Sequence, residues 1–265
     1  MIMKASYQQQ FLSYVLLLTR GVGSVAAMKI YTAIKQAGID DHYIGSMLHA
    51  GKLDEIAHLF GRNAEHVSAV LRTSVRTDFE LLLADGQFPV CPFDSLLPQY
   101  YWDRAVSHRL PLLFIARGTP PPTDRTWIAV IGSRNANEEG LQRARAAGAR
   151  NALDGHVTVS GGAKGVDLAA TTAATEASGM TVIVPAGDVS SVRSTDHQLV
   201  LSPYAPGTHF SPGIAMARNA VVVALSQSVI VAEVRSGANG ALSGTQHAIS
   251  MAKAYGVPVT LATSQ

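Results

Sequence analysis

Two hydrophobic rhythms divide the chain. Up to about residue 83, apolar positions recur at helical spacing. Residues 11–18 are apolar almost throughout, and residues 24–36 carry Val25, Met28, Ile30 and Ile34 after Gly21-Val-Gly23. Gly38 closes that helix. Further helices are expected over residues 44–50, 52–60 and 63–75, the last with Asn63 as its cap. From residue 125 the rhythm changes. Short runs of β-branched and small apolar residues predict strands at 127–131, 156–160, 181–184, 229–234 and 259–262. Between them lie helical patterns at 138–153, 164–179, 213–225 and 242–255. This alternation with short connections predicts an α/β architecture: a doubly wound, mostly parallel sheet beside a smaller N-terminal helical domain. In such sheets ligands sit beyond the carboxyl ends of the strands, where strand order reverses.

Residues 84–124 follow neither rhythm. They hold Pro89, Pro92, Pro98 and Pro111, the aromatic run Tyr100-Tyr101-Trp102, and a proline-rich stretch from Gly118 to Asp124 that reads as a stiff linker. The expected division is therefore a helical domain (1–83), a bridging segment (84–124) and a sheet domain (125–265). The aromatic run reads as packing at the junction. Residues 17–24 resemble the hairpin of a helix-hairpin-helix module, in which glycine N–H groups grip a DNA backbone. A tight turn between packed helices is the other reading, and both stay open.

The chemistry concentrates where strands should hand over to helices. Ile131-Gly132-Ser133-Arg134 ends one predicted strand, and Ser160-Gly161-Gly162-Ala163-Lys164-Gly165-Val166-Asp167 ends the next. Such junctions present backbone N–H groups and a positive helix end to anions, and Arg134 and Lys164 make phosphate the natural ligand. Asp167 is placed to cap N–H groups or orient a cation. Arg218 and Asn219 interrupt an otherwise apolar helix. Glu233 ends another strand, ahead of Arg235-Ser236-Gly237 and a Gly/Ser/Asn-rich loop, with Thr245 beyond it as a further hydroxyl donor. Neither a dinucleotide fingerprint nor a Walker A motif is present.

Composition narrows the reading. Hydrophobic residues make up 47% and charged residues 15% of the chain, and the net charge is only +2, so a polyanion site must be a local pocket. Cys91 is the one cysteine, which excludes an internal disulfide and a cysteine zinc site and suits a cytoplasmic protein. No window has the length of apolar sequence that a membrane span needs. His108, His156, His197, His209 and His247 show no metal spacing, and no nucleophile elbow is visible. The sequence thus argues for binding, with no catalytic residue, metal or cofactor.

Together these motifs resemble the DNA-processing protein A (DprA, or Smf) family. The carriers are Ile131-Gly-Ser-Arg134, Ser160-Gly-Gly-Ala-Lys-Gly-Val-Asp167, Ala217-Arg-Asn219 with its apolar continuation, and Val229-Ile-Val-Ala-Glu233 with Ser236-Gly237. The resemblance implies a Rossmann-like sheet domain and a protein without turnover. It would bind single-stranded DNA, form a homodimer and help load a RecA-type recombinase during transformation. Carried over, Gly132, Ser133, Arg134, Ser160, Gly161, Gly162, Lys164, Gly165, Arg218, Asn219, Ser236 and Gly237 would hold phosphates, supported by Asp167, Glu233 and Arg235. The chain departs from the family pattern at Thr171, where histidine is usual, at Pro203, and at Ala220, where arginine is usual. It also ends without the family's C-terminal winged helix. The alternative is a nucleotide sensor or nucleotide hydrolase of the same superfamily, since one pocket chemistry serves either ligand. A third reading is an interaction subunit with a vestigial pocket.

Overall fold

The computed structural model describes residues 6–92, 94–193, 195–235 and 243–262. Its first part is helical: α1 (Tyr7–Leu18), α2 (Ser24–Gln36), α3 (Asp41–His49), α4 (Ala57–Phe60), α5 (Ala64–Leu71) and α6 (Val75–Ala84). A capping box between Ser6 and Gln9 starts α1, whereas α2 starts at Gly23 with no side-chain cap. Two expectations need correction here. The helix expected over 63–75 stops at Leu71, and α6 begins only at Val75; in the turn between them Thr73 Oγ1 donates to the Val70 carbonyl at 2.7 Å. Asn63 does not cap α5: its backbone is already helical (φ −88°, ψ −7°), so its amide cannot reach the first turn. Over 52–60 a 3-10 turn (Leu53–Glu55) precedes the single-turn α4.

The remaining elements are β1 (Gln87–Val90), α7 (Gln99–His108), β2 (Phe114–Gly118), β3 (Trp127–Gly132), α8 (Glu138–Leu153), β4 (Val157–Ser160), α9 (Val166–Glu176), β5 (Thr181–Ile183) and β6 (Gln198–Ser202). They are followed by α10 (Pro212–Ala224), β7 (Ser228–Glu233), α11 (Gly244–Ala254) and β8 (Val259–Leu261). The sheet has eight strands in the order β1-β2-β6-β5-β4-β3-β7-β8. From β6 to β8 all pairs are parallel, while β1 and β2 add an antiparallel flank. The chain leaves β3 toward β4 on one side and returns to β7 on the other, so strand order reverses at the β3 carboxyl end. This is the Rossmann-like doubly wound architecture. No described helix is long and apolar enough to cross a membrane.

Residues 84–124 are built into this sheet. Pro89 is tolerated because β1 is an edge strand, where a missing N–H costs little. Helix α7 contains the Tyr100–Trp102 run and lies between Pro98 at its start and a left-handed Arg109 at its end. Tyr101 stacks edge-on against Phe114 of β2 at 5.6 Å. Tyr100 Oη donates to the Leu225 carbonyl at 2.9 Å. Arg104 donates to the carbonyls of Ala224 and Ser226, closing the carboxyl end of α10. Buried side chains from α1 through β1, β2 and the central strands form one continuous cluster. A smaller cluster under α8 and α9 joins Val130, Ala144, Val166, Ala170 and Ala232 on the opposite face.

This continuity is testable. Phe114 is 1% exposed, so Phe114→Ala should cost about 3–5 kcal/mol in urea unfolding, in one transition seen by helical and sheet probes alike. A cost near zero would make the segment a linker rather than core.

Candidate functional site

The site grows out of the reversal at β3. The β3–β7 register slips between Ile131 and Gly132, so Gly132 pairs with Glu233 and the strand end is re-aimed. Ser133 is then clamped by its main chain: its N–H donates to the Glu233 carbonyl at 3.1 Å and its carbonyl accepts from Val166 N–H at 3.2 Å. Only glycine permits this crossing. Gly165 has φ +85°, and a Cβ there would overlap the Ser133 carbonyl. A Cβ on Gly132 would lie 2.6 Å from Val166 Cγ2, and one on Gly161 would land on the Arg218 guanidinium.

Beyond the clamp lies a cavity of about 620 Å³ lined by Ser133, Arg134, Asn135, Asp167, Arg218, Asn219, Arg235 and Thr245, with apolar walls from α10 and α11. Asn219 Nδ2 donates to the Gly244 carbonyl at 3.0 Å, tying α10 to the start of α11. Arg218 is 4% exposed and faces Asp167, 3.8 Å away. Asp167 also accepts N–H groups of Ala163 and Gly161, so this loop's donors turn toward the chain's own carboxylate. Burial pushes the Asp167 carboxyl up, against the pull of Arg218, those N–H groups and Arg134. Burial likewise pushes the Arg218 guanidinium down, against Asp167, and neighbouring Arg134 adds to the lowering. For both partners desolvation outweighs attraction in setting the direction of the shift. The Arg218 Nε hydrogen has no acceptor among the described residues.

The other expected residues divide by position. Arg134 is exposed and lies over the Phe210 ring, 5.5 Å from its centroid. Glu233 holds Arg235 at 2.7 Å and accepts the Asn137 N–H at the start of α8, so it serves as scaffold. Ser160 does not reach the cavity: it is fully buried and its hydroxyl donates to the Val130 carbonyl at 2.8 Å. Lys164 is exposed but does not line the cavity, nor do Gly161, Gly162 and Gly165. Ser236 and Gly237 lie outside the described residues. Thr171 is buried, with its hydroxyl turned back onto the Asp167 carbonyl. Sequence reasoning missed Phe210, 58% exposed. Its signal was an isolated aromatic directly ahead of Ser211-Pro212, the cap and first residue of α10. No group of three His, Cys, Asp or Glu among the described residues is arranged to hold a metal ion.

The pair makes a pH prediction. The folded Asp167 carboxyl titrates above its ordinary 3.8, so the fold holds that proton more tightly than the unfolded chain does. The resulting stability is complete below pH 3.8 and lost as pH rises through the folded value. Urea midpoints should therefore fall across that window in the wild type, and Asp167→Asn should flatten the step. A step that survives the substitution belongs to another group.

Comparison with known proteins places this geometry. The family model for DNA recombination-mediator protein A matches residues 90–265. The chain is 30% identical over 220 residues to the DNA processing protein DprA of Streptococcus pneumoniae, covering 76% of each. The X-ray structure of that organism's DprA superposes with a TM-score of 0.71 at 23% identity, over 98% of this chain and 87% of the other. A structure of Helicobacter pylori DprA, determined for its single-stranded DNA binding mode, matches with a TM-score of 0.54 at 25% identity, over 64% and 79%. A family model that matches residues 90–265 and a relative 30% identical over 76% of each chain show that the chain belongs to the DNA recombination-mediator protein A (DprA) family.

Proposed function

We propose that the protein is a non-catalytic, single-stranded DNA-binding member of this family, holding backbone phosphates in the cavity at the β3 reversal. The observation that carries this reading is Arg218. It is a buried guanidinium that lines the cavity with its Nε lacking an acceptor among the described residues. Buried N–H donors require partners, and a phosphate oxygen would supply one. Arg134 adds an exposed cation that pairs with no carboxylate among the described residues, lying against an exposed aromatic face. Cation and ring together suit a single strand, which offers a phosphate and an unstacked base side by side. Lys164, exposed on the neighbouring loop, would extend the contact along the backbone.

Turnover finds no support in the lining. Asp167 is its one carboxylate and is committed to Arg218, and no histidine or cysteine lines the cavity. The nucleotide-hydrolase alternative therefore lacks a free general base among these residues. The same proposal extends to assistance of a RecA-type recombinase in recombination and transformation, to a homodimer, and to a cytoplasmic setting.

The test is fluorescence anisotropy with labelled oligo-dT across a salt series. Arg134→Ala should weaken binding and shrink the log–log salt slope by about 0.7, the value for one single-strand phosphate. Phe210→Ala should weaken binding by about 1–3 kcal/mol with the slope unchanged, as loss of a stacked base requires. Absence of oligo-dT binding by the wild type at low salt would overturn the proposal.

A further inference from the structure

Phe210 is carried by the loop of residues 203–211, which joins β6 to α10. An exposed aromatic on a slack loop tends to fold back onto apolar neighbours. Here the ring stays exposed while its loop is fastened on two sides. On the α10 side, Tyr204 Oη donates to the Ile214 carbonyl at 3.1 Å, and the Ser211 hydroxyl accepts the Ile214 N–H at 3.2 Å. On the other side the fastening runs through the turn that follows β5, at Gly187 and Asp188.

Asp188 meets the loop with both main chain and side chain. Its N–H donates to the Thr208 carbonyl at 2.9 Å, and its Oδ2 accepts the Gly207 N–H at 2.6 Å. The other oxygen, Oδ1, accepts the Ser190 N–H at 3.1 Å and the Ser190 hydroxyl at 2.6 Å. One carboxylate thus joins its own turn to a segment 19 residues further along the chain. It pairs with no cation among the described residues. Gly187 lets the two segments touch: a Cβ there would stand 3.0 Å from the Thr208 carbonyl oxygen and 3.7 Å from the Phe210 nitrogen. The Ser202 hydroxyl closes the frame, donating to the Gly187 carbonyl at 2.7 Å and accepting the Tyr204 N–H at 3.1 Å. Neither Gly187, Asp188 nor Ser202 lines the cavity at β3.

We propose that Asp188 is a positioning residue for base recognition: by holding Gly207 and Thr208, it keeps Phe210 beside Arg134 before a strand arrives. This rests on the reading that the cavity at β3 binds a single strand with a base against Phe210. A ring already held in its bound position leaves less to be ordered on binding. The task calls for a carboxylate, because each of its two oxygens serves a different segment. Asparagine has the same shape but only one acceptor oxygen, and its NH2 group would face a donor at Ser190 or at Gly207. Arg134 is placed by the clamp at Ser133 and Arg218 by α10, so slackening this loop reaches the base contact and spares the phosphate contacts.

The experiment measures fluorescence anisotropy of Asp188→Asn and wild type with oligo-dT and with an abasic strand of the same length. Asp188→Asn should weaken oligo-dT binding roughly 2- to 10-fold, the cost of ordering one more side chain. Its affinity for the abasic strand and its salt slope should match the wild type. In a double-mutant cycle, Asp188→Asn should add nothing to the loss caused by Phe210→Ala. Equal losses on both strands, or a loss that adds in full to that of Phe210→Ala, would make Asp188 a residue of the fold alone and overturn the proposal. Unchanged oligo-dT affinity would overturn it too. The wild type tests the underlying reading separately: equal affinity for the two strands removes the base contact at Phe210, and the proposal with it. Should Asp188→Asn fail to fold, Gly187→Ala, which crowds the Thr208 carbonyl, takes its place with the same strand-selective loss expected.

Discussion

Backbone meets backbone at the end of β3, and the rest of the site depends on that approach. Ser133 joins the strand to β7 through its N–H and to the first turn of α9 through its carbonyl. No side chain takes part in this clamp. Side chains are kept out of the way instead, since Gly132 and Gly165 leave room that a methyl group would fill. With three elements locked at one residue, the next positions have little freedom. Arg134 is delivered over Phe210. Asp167, one residue into α9 from the clamp, is delivered to Arg218. Precision here comes from main-chain contacts, which do not vary with rotamer.

The buried pair behind the clamp shows how such a site is financed by its surroundings. Both charges are driven toward neutrality by burial, and their attraction only partly offsets it. Around it the central strands bury a large apolar core, with Trp127, Ala129, Val157, Val159, Val182 and Val200 all fully buried. A fold made only for stability would place a hydrocarbon at Arg218. Retaining a guanidinium whose Nε hydrogen has no acceptor among the described residues directs attention to what enters from outside.

What was legible in the sequence follows physical lines. The strands β3, β4, β5, β7 and β8 announced themselves as short β-branched runs, three of them halted by glycine, a serine-glycine pair or a glutamate at the reversal. The strand β6 is just as buried, yet its Gln198 and Ser202 ends and the following Pro203 disguised it. Prolines also hid β1, because a proline forbidden in a central strand is harmless on an edge. Within the site, Arg134, Asp167 and Arg235 were found from their places around strand ends and Arg218 and Asn219 as polar interruptions of an apolar helix, and the cavity gathers them. Lys164 and Ser160 shared that spacing but face elsewhere. A linear motif does not reveal which way a loop residue turns. Phe210 escaped because an aromatic ahead of a helix cap is too common a local signal to mark a site. Its importance depends on Arg134, far away in sequence, and only the folded sheet brings the two together.

The caps at the far end of α10 carry one more consequence. Arg104 and Tyr100 hold the last carbonyls of this helix, while Arg218 and Asn219 at its middle form the cavity wall. An α-helix of 13 residues is a rod about 20 Å long, stiff against bending. Helix α7 also packs against α2, so the helix that ties off the carboxyl end of α10 is itself held by the helical part as well as by the sheet.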